Sequence, residues 1–217
     1  MQFGLGDRQI DYLTAKDSYC VSWDSMDSET DVLNSEVSVC SELDTHECVL
    51  YNLDVGNQTF ICLADLDFKE GLKYVTKIRV KNNVDLFAEL YSDGFVLDST
   101  PPFVGEINYL GSSNPIVKEA AEHFTHSQIA VQWNGFWDKE SGVRTTYVCV
   151  GTLPGDCNIK NFTDMRNSST ITFQDLLLIQ GQTYFVSVKA ENEAGLTSEV
   201  QTSDGIVVDK TGTYRNQ

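Results

Sequence analysis

Positive charge is what this sequence has least of. It carries 15 Lys and Arg against 32 Asp and Glu, a formal net charge of −17 at pH 7. Residues 1–99 hold 19 acidic and 7 basic side chains, and residues 100–217 hold 13 and 8. With Lys and Arg so outnumbered in both halves, no nucleic-acid partner is expected and anionic membrane surfaces are poor partners. Long apolar runs are missing too. The stretch LLLI at 176–179 is far short of the roughly 18 residues a bilayer span requires, so direct membrane insertion is not expected. The N-terminus MQFGLGDRQIDYL has neither the basic start nor the apolar stretch of a signal peptide. The chain is therefore either cytosolic or a piece of a secreted protein whose signal has been removed.

Histidine is almost as scarce. His46, His123 and His126 are the three present, and the HFTH pair is spaced too closely for two ligands one helical turn apart. No GxSxG, HExxH or phosphate-loop motif occurs. No catalytic residue is assigned, and no cofactor is expected. Calcium is the more serious candidate ligand for so acidic a chain. WDSMDSETD offers Asp24, Asp27, Glu29 and Asp31, and WDKESG offers Asp138 and Glu140. Neither has the ligand order of an EF-hand loop. Asp, Ser and Gly also shape turns, and that role is favoured over calcium at Asp138 and Glu140. Asp98 and Asp209 stand just before possible joints and are solvated carboxylates or further oxygen donors.

Six cysteines are present, and two stretches share one spacing: CSELDTHEC at 40–48 and CVGTLPGDC at 149–157. The first contains His46. On spacing alone, metal ligands, redox thiols and disulfide staples all remain open.

A repeat organises the chain. A shift of 110 lays Trp23 on Trp133, Gly71 on Gly181, Tyr74 on Tyr184 and Asn82 on Asn192. A shift of 109 aligns the paired cysteines, and a shift of 111 lays SDGFVLD (92–98) on SDGIVVD (203–209). The boundary falls at DSTPPFVG, where Pro101-Pro102 favours an extended, semi-rigid linker. Two domains follow, 1–99 and 100–217. Within each, the apolar period is two: Tyr19, Val21 and Trp23 share a face, as do Ile129, Val131 and Trp133, and Tyr184, Val186, Val188 and Ala190. Short alternating strands punctuated by turns predict an all-β antiparallel sandwich. One segment, NPIVKEAAEHF at 114–124, reads as a short helix.

LLLIQGQTYFVSVKAENEAGLTS resembles the last strands of a fibronectin type III domain. Leu178, Gly181, Tyr184, Ala190, Asn192 and Gly195 match that family's pattern, and Trp133 matches its buried strand B tryptophan. The resemblance covers most of residues 101–211. It implies tandem fibronectin type III-like β-sandwiches, with Tyr184 pinning a loop through a tyrosine corner. The first domain keeps Trp23, Gly71, Tyr74 and Asn82 but has Phe68, Val80 and Asp85 where the second has Leu178, Ala190 and Gly195. Asp85 puts the shape of that last turn in question.

Placed on this fold, the cysteines read as staples. Cys20 and Cys62 fall on the outward faces of neighbouring strands B and E, and their counterparts are Ala130 and Thr172, so both are missing together. Cys40–Cys48 and Cys149–Cys157 flank a hairpin connection, with Cys149 expected to end strand C and Cys157 to begin the next. Disulfides and the sequons at Asn57, Asn161 and Asn167 suggest an extracellular or cell-surface location. The expected function is non-enzymatic protein–protein recognition or adhesion within a larger repeat protein, through a protein partner or self-association. The alternatives are a structural spacer, or a carbohydrate-binding module using Phe136 and Trp137. No RGD tripeptide is present.

Overall fold

The computed structural model describes residues 10–14, 18–25, 31–43, 47–110 and 128–208. The expected helix at 114–124 lies outside these residues. Among the described residues there is no helix, and the fold is all-β. The chain divides into two compact units, Met1–Thr100 with Lys139–Ser141, and Pro101–Asp138 with Gly142–Gln217.

In the first unit the strands are β1 (Tyr12–Leu13), β2 (Tyr19–Ser22), β3 (Val32–Ser41), β4 (Cys48–Asp54), β5 (Phe60–Leu63), β6 (Lys73–Asn82), β7 (Phe87–Tyr91) and β8 (Phe95–Leu97). One layer is the antiparallel pair β2–β5. The other runs β1-β8-β6-β3-β4, with β7 also paired to β6. Side chains alternate on a strand, so Tyr74, Thr76, Ile78 and Val80 of β6 turn inward while Lys73, Lys77, Arg79 and Lys81 turn out. Tyr19, Val21 and Trp23 close the core from the other layer. Its centre is aromatic. Phe68 packs edge-on to Tyr74 and Phe95, with ring centroids 4.8 and 5.3 Å apart, and Tyr19 lies 4.7 Å from Phe95. The Tyr19 hydroxyl is hydrogen-bonded to Thr76 Oγ1 at 2.6 Å, and burial pushes its ionisation upward.

The second unit contains β9 (Glu106–Tyr109), β10 (Ile129–Asn134), β11 (Val143–Gly151), β12 (Lys160–Asp164), β13 (Thr170–Phe173), β14 (Thr183–Asn192), β15 (Gln201–Thr202) and β16 (Ile206–Val207). The layers are β13-β10-β9 and β12-β11-β14-β15, with β16 on β14. The core is mostly aliphatic: Ile129, Val131, Val148, Val150, Val186 and Val188 are buried around Trp133, Phe173 and Tyr184. Trp133 Nε1 donates to Thr146 Oγ1 at 3.1 Å, whereas the buried Trp23 Nε1 has no hydrogen-bond partner among the described residues.

Candidate functional site

The structure brings the cysteines together as Cys20–Cys62, Cys40–Cys48 and Cys149–Cys157. Cys20 and Cys62 are directly opposite in the β2–β5 ladder, and Cys40 is opposite Cys48 between β3 and β4. The second unit differs from expectation. β11 runs past Cys149 to Gly151, and Cys157 sits in the connection before β12. The reason lies at Gly151, where any Cβ would stand 2.0 Å from the Asp156 carbonyl oxygen. Glycine lets the connection fold back against the strand, so Cys157 approaches Cys149 from a turn.

Two loops are pinned by tyrosine. Lys69 N–H donates to the Tyr74 hydroxyl oxygen at 2.9 Å, and Ile179 N–H donates to Tyr184 at the same distance. The turn after β6 closes like the one after β14. Asn82 Oδ1 accepts from Leu86 N–H at 2.9 Å, and Asn192 Oδ1 accepts from Leu196 N–H at 2.7 Å. Asp85 takes φ +64° where Gly195 takes +84°. The loss of glycine therefore leaves the turn intact, because the Asn side chain supplies the closing bond and Asp tolerates the left-handed region better than most residues.

The sequon asparagines Asn57, Asn161 and Asn167 are all exposed. Two follow equivalent turns. Asp54 accepts from Gly56 N–H at 2.8 Å, and Asp164 accepts from Arg166 N–H at 3.0 Å. The Gly56 amide and the Asn34 side chain hold the Asp54 carboxyl below its ordinary range; the Thr145 hydroxyl and then the Arg166 amide do the same for Asp164.

Of the calcium candidates, Asp27, Glu29 and Asp209 lie outside the described residues, as do His46, His123 and His126. Asp138 Oδ1 accepts from Gly142 N–H at 3.1 Å, and its Oδ2 accepts from Asn192 Nδ2 at 3.2 Å. Both carboxylate oxygens thus hold the turn before β11. Lys139 Nζ stands 3.8 Å from Glu140 Oε1. The aromatics Phe136 and Trp137 part company. Phe136 packs on the core of the second unit, while Trp137 stacks on Phe103 with centroids 4.6 Å apart and an interplanar angle of 11°. Each ring covers one face of the other, and both remain about half exposed.

One surface was not anticipated from the sequence. Val84, Leu86, Phe87 and Tyr91, in the turn before β7 and on β7 itself, are all more than half exposed, at 57%, 66%, 58% and 56%. Arg79 lies over the Phe87 ring at 4.0 Å, Glu89 accepts from the Tyr91 hydroxyl at 2.9 Å, and Lys77 Nζ is 3.6 Å from Glu89. The signal was there in VDLFAELY, where the ring-bearing residues Phe87 and Tyr91 and the acid Glu89 share a period of two. A strand with apolar residues on both faces gives no clean alternation, which hid it.

No protein-family model and no curated protein matches the chain. Among solved structures, domains A168–A170 of titin align over 95% of this chain and 64% of that one, at 12% identity and a TM-score of 0.54. The chicken CNTN1 FN1–FN3 domains align over 94% of this chain and 66% of theirs, at 16% identity and a TM-score of 0.48. Fibronectin(III)-like modules of Clostridium thermocellum CbhA align over the whole of both chains at 10% identity, with a TM-score of 0.48. Together with the layer order and the two tyrosine-pinned loops, the titin likeness gives the fold. The chain folds as two tandem fibronectin type III-like β-sandwiches.

Proposed function

We propose that this chain is a non-enzymatic recognition or adhesion segment of a larger extracellular repeat protein. The observation that carries the reading is the exposure of Val84, Leu86, Phe87 and Tyr91 along β7 and the turn before it, at one edge of the first unit. Exposed large side chains scattered singly need no explanation, but a group on one strand and its adjoining turn favours a binding surface. Three disulfides and the exposed sequons favour an oxidising, extracellular setting. Self-association and binding of a different protein are both consistent with such a surface.

Sedimentation velocity over a concentration series of the secreted, glycosylated chain tests the reading, with calcium and then with chelator. Dimerisation that Phe87→Ser with Tyr91→Ser abolishes would establish homophilic adhesion. A monomer of unchanged shape in both buffers, with no partner protected against hydrogen exchange on this edge, would leave a structural spacer. A dimer lost in chelator would make Asp138 and Glu140 metal ligands. The stacked Phe103–Trp137 pair favours a second reading, a glycan platform, because both rings are about half exposed. Loss of glycan-array binding in Trp137→Ala would support it.

A further inference from the structure

We infer that the edge of β7 turned away from β6 accepts an extended partner segment as an added antiparallel strand, with a Lys or Arg opposite Glu89 flanked two positions away on each side by apolar residues. This deepens the recognition reading and rests on it. The backbone argument comes first. Asn82 N–H donates to Leu86 O and Ser92 N–H donates to Thr76 O, both at 2.9 Å. Between them Ile78 stands opposite Leu90 and Val80 opposite Ala88. Hydrogen-bonded and non-bonded pairs alternate in an antiparallel ladder, so Ala88 and Leu90 turn their amides and carbonyls to β6. Phe87, Glu89 and Tyr91 therefore point theirs away from β6. Among the described residues no strand pairs with that side of β7. Three donors and three acceptors face outward along one short strand, which carries no proline, lysine or arginine to deter pairing.

The side chains select the occupant. Phe87, Glu89 and Tyr91 share a face with Lys81, Arg79 and Lys77, their partners in register. Across the sheet one row reads Asp54, Glu36, Arg79, Glu89, since Glu36 is opposite both Asp54 and Arg79, and Arg79 is opposite Glu89. The row ends on an acid with no further strand beside it among the described residues, within a half of the chain that carries 19 acidic and 7 basic residues. A cation in the next position continues the alternation of sign begun by Arg79 and Glu89. The rows on either side end on Tyr91 and Phe87, which a partner's apolar side chains would cover. Opposite charges on facing strands stabilise a pair and like charges oppose it. That argues against a second copy of this chain, because the register that pairs all five residues sets Glu89 against Glu89. The added strand would take its affinity from main-chain bonds and its selectivity from alternate side chains.

The test uses the whole chain and the peptide acetyl-Ser-Val-Thr-Arg-Thr-Val-Ser-amide, with amide hydrogen exchange read by NMR. Without peptide, the Phe87, Glu89 and Tyr91 amides should exchange fast while those of Ala88 and Leu90 are protected. With saturating peptide, the three fast amides should become protected. Methylating the backbone nitrogens of the peptide's Arg and Val residues should abolish binding, while methylating those of its Thr residues should not. A Glu-centred peptide should bind about five-fold more weakly, the ratio one cross-strand charge pair supplies, and Glu89→Lys should reverse the order. Protection of Phe87, Glu89 and Tyr91 before any peptide is added would overturn the proposal, since the edge would then be taken by the chain itself. Equal binding of both methylated peptides would also overturn it. If a peptide or protein partner binds with protection elsewhere, the edge fails and the recognition reading stands. Absence of any binding, together with a monomer in sedimentation, removes both.

Discussion

In the first unit Tyr19, Phe68, Tyr74 and Phe95 occupy the positions that Ile129, Leu178, Tyr184 and Ile206 occupy in the second. The backbone scarcely registers the exchange. Gly71 N–H bonds Leu97 O at 2.9 Å and Gly181 N–H bonds Val208 O at 2.8 Å, one plan carried out twice. What changes is the polar cost of the filling. An aromatic quartet that includes Tyr19 buries a hydroxyl, and the first unit supplies Thr76 to meet it where the second has Val186 against Ile129. A buried donor left unmet is costly, so the two substitutions travel together. The tryptophans teach the reverse. Thr146 satisfies Trp133, while Trp23 Nε1 and the Ser35 hydroxyl, both buried, are each without a partner among the described residues. Among the described residues the first unit therefore buries more unmet polar atoms, and it is the one with the extra disulfide.

That pairing gives the largest expected effect. Replacing Cys20 and Cys62 by Ala should lower the stability of the first unit by about 4 kcal/mol, from the entropy of a loop closed over 42 residues. The second unit, with Ala130 and Thr172 at these positions, should keep its stability. Unit-resolved hydrogen exchange in denaturant measures both. Equal losses in the two units would mean they do not unfold separately and would break the comparison.

Next is the buried hydroxyl. Thr76→Val should cost about 1–3 kcal/mol by stranding the Tyr19 hydroxyl. Adding Tyr19→Phe should recover most of that loss, because both partners then become apolar as in the second unit. A double-mutant cycle in urea checks it, and an additive result would show that the hydrogen bond carries no coupling.

A smaller difference is expected at the turns. Gly195→Ala should cost about 1–2 kcal/mol, since φ is +84° there and a Cβ meets the following carbonyl in the left-handed region. Asp85→Ala should cost clearly less, its backbone already bearing a side chain at φ +64°. Thermal unfolding of both variants compares them directly, and equal losses would show that the turns are not equivalent.

The smallest effect is in pH. Asp54 and Asp164 both have depressed carboxyl ionisation in the folded state. Each lends stability that is fully present above the ordinary carboxylate range and is lost as pH falls through the lowered folded value. Acid titration of stability should show a shallow loss at the low end of that range, shared by the two units. Asp54→Asn with Asp164→Asn should flatten it. An unchanged acid limb would remove these turns from the account.

Much of the fold was legible because it is local. Tyr19 and Val21 on β2, and Trp23 just beyond its end, alternate into the core as they do in the sequence, since a strand's period of two survives any packing partner. The repeat displayed the tyrosine positions and the turn asparagines. The hidden features were those set by close approach or by an edge. Cys157 fell in a turn because Gly151 admits the Asp156 carbonyl, a contact no spacing reveals. Trp137 found Phe103, more than thirty positions earlier, across a bridge whose Phe103 N–H bonds Trp137 O at 2.8 Å. The β7 surface stayed hidden because exposure depends on which neighbour is missing.

The sequence alone determined the duplication, the strand periodicity, the acid excess and the chemistry at each repeat position, because these depend on residue order and side-chain type. The tertiary structure decided the rest. It joined β1 in parallel to β8 in the first unit but set β9 antiparallel to β10 in the second. It turned both oxygens of Asp138 onto the turn before β11, and it left one side of β7 unpaired among the described residues. These outcomes rest on contacts between segments far apart in the chain, where the balance of many packing and hydrogen-bond terms, rather than any local preference, selects the arrangement.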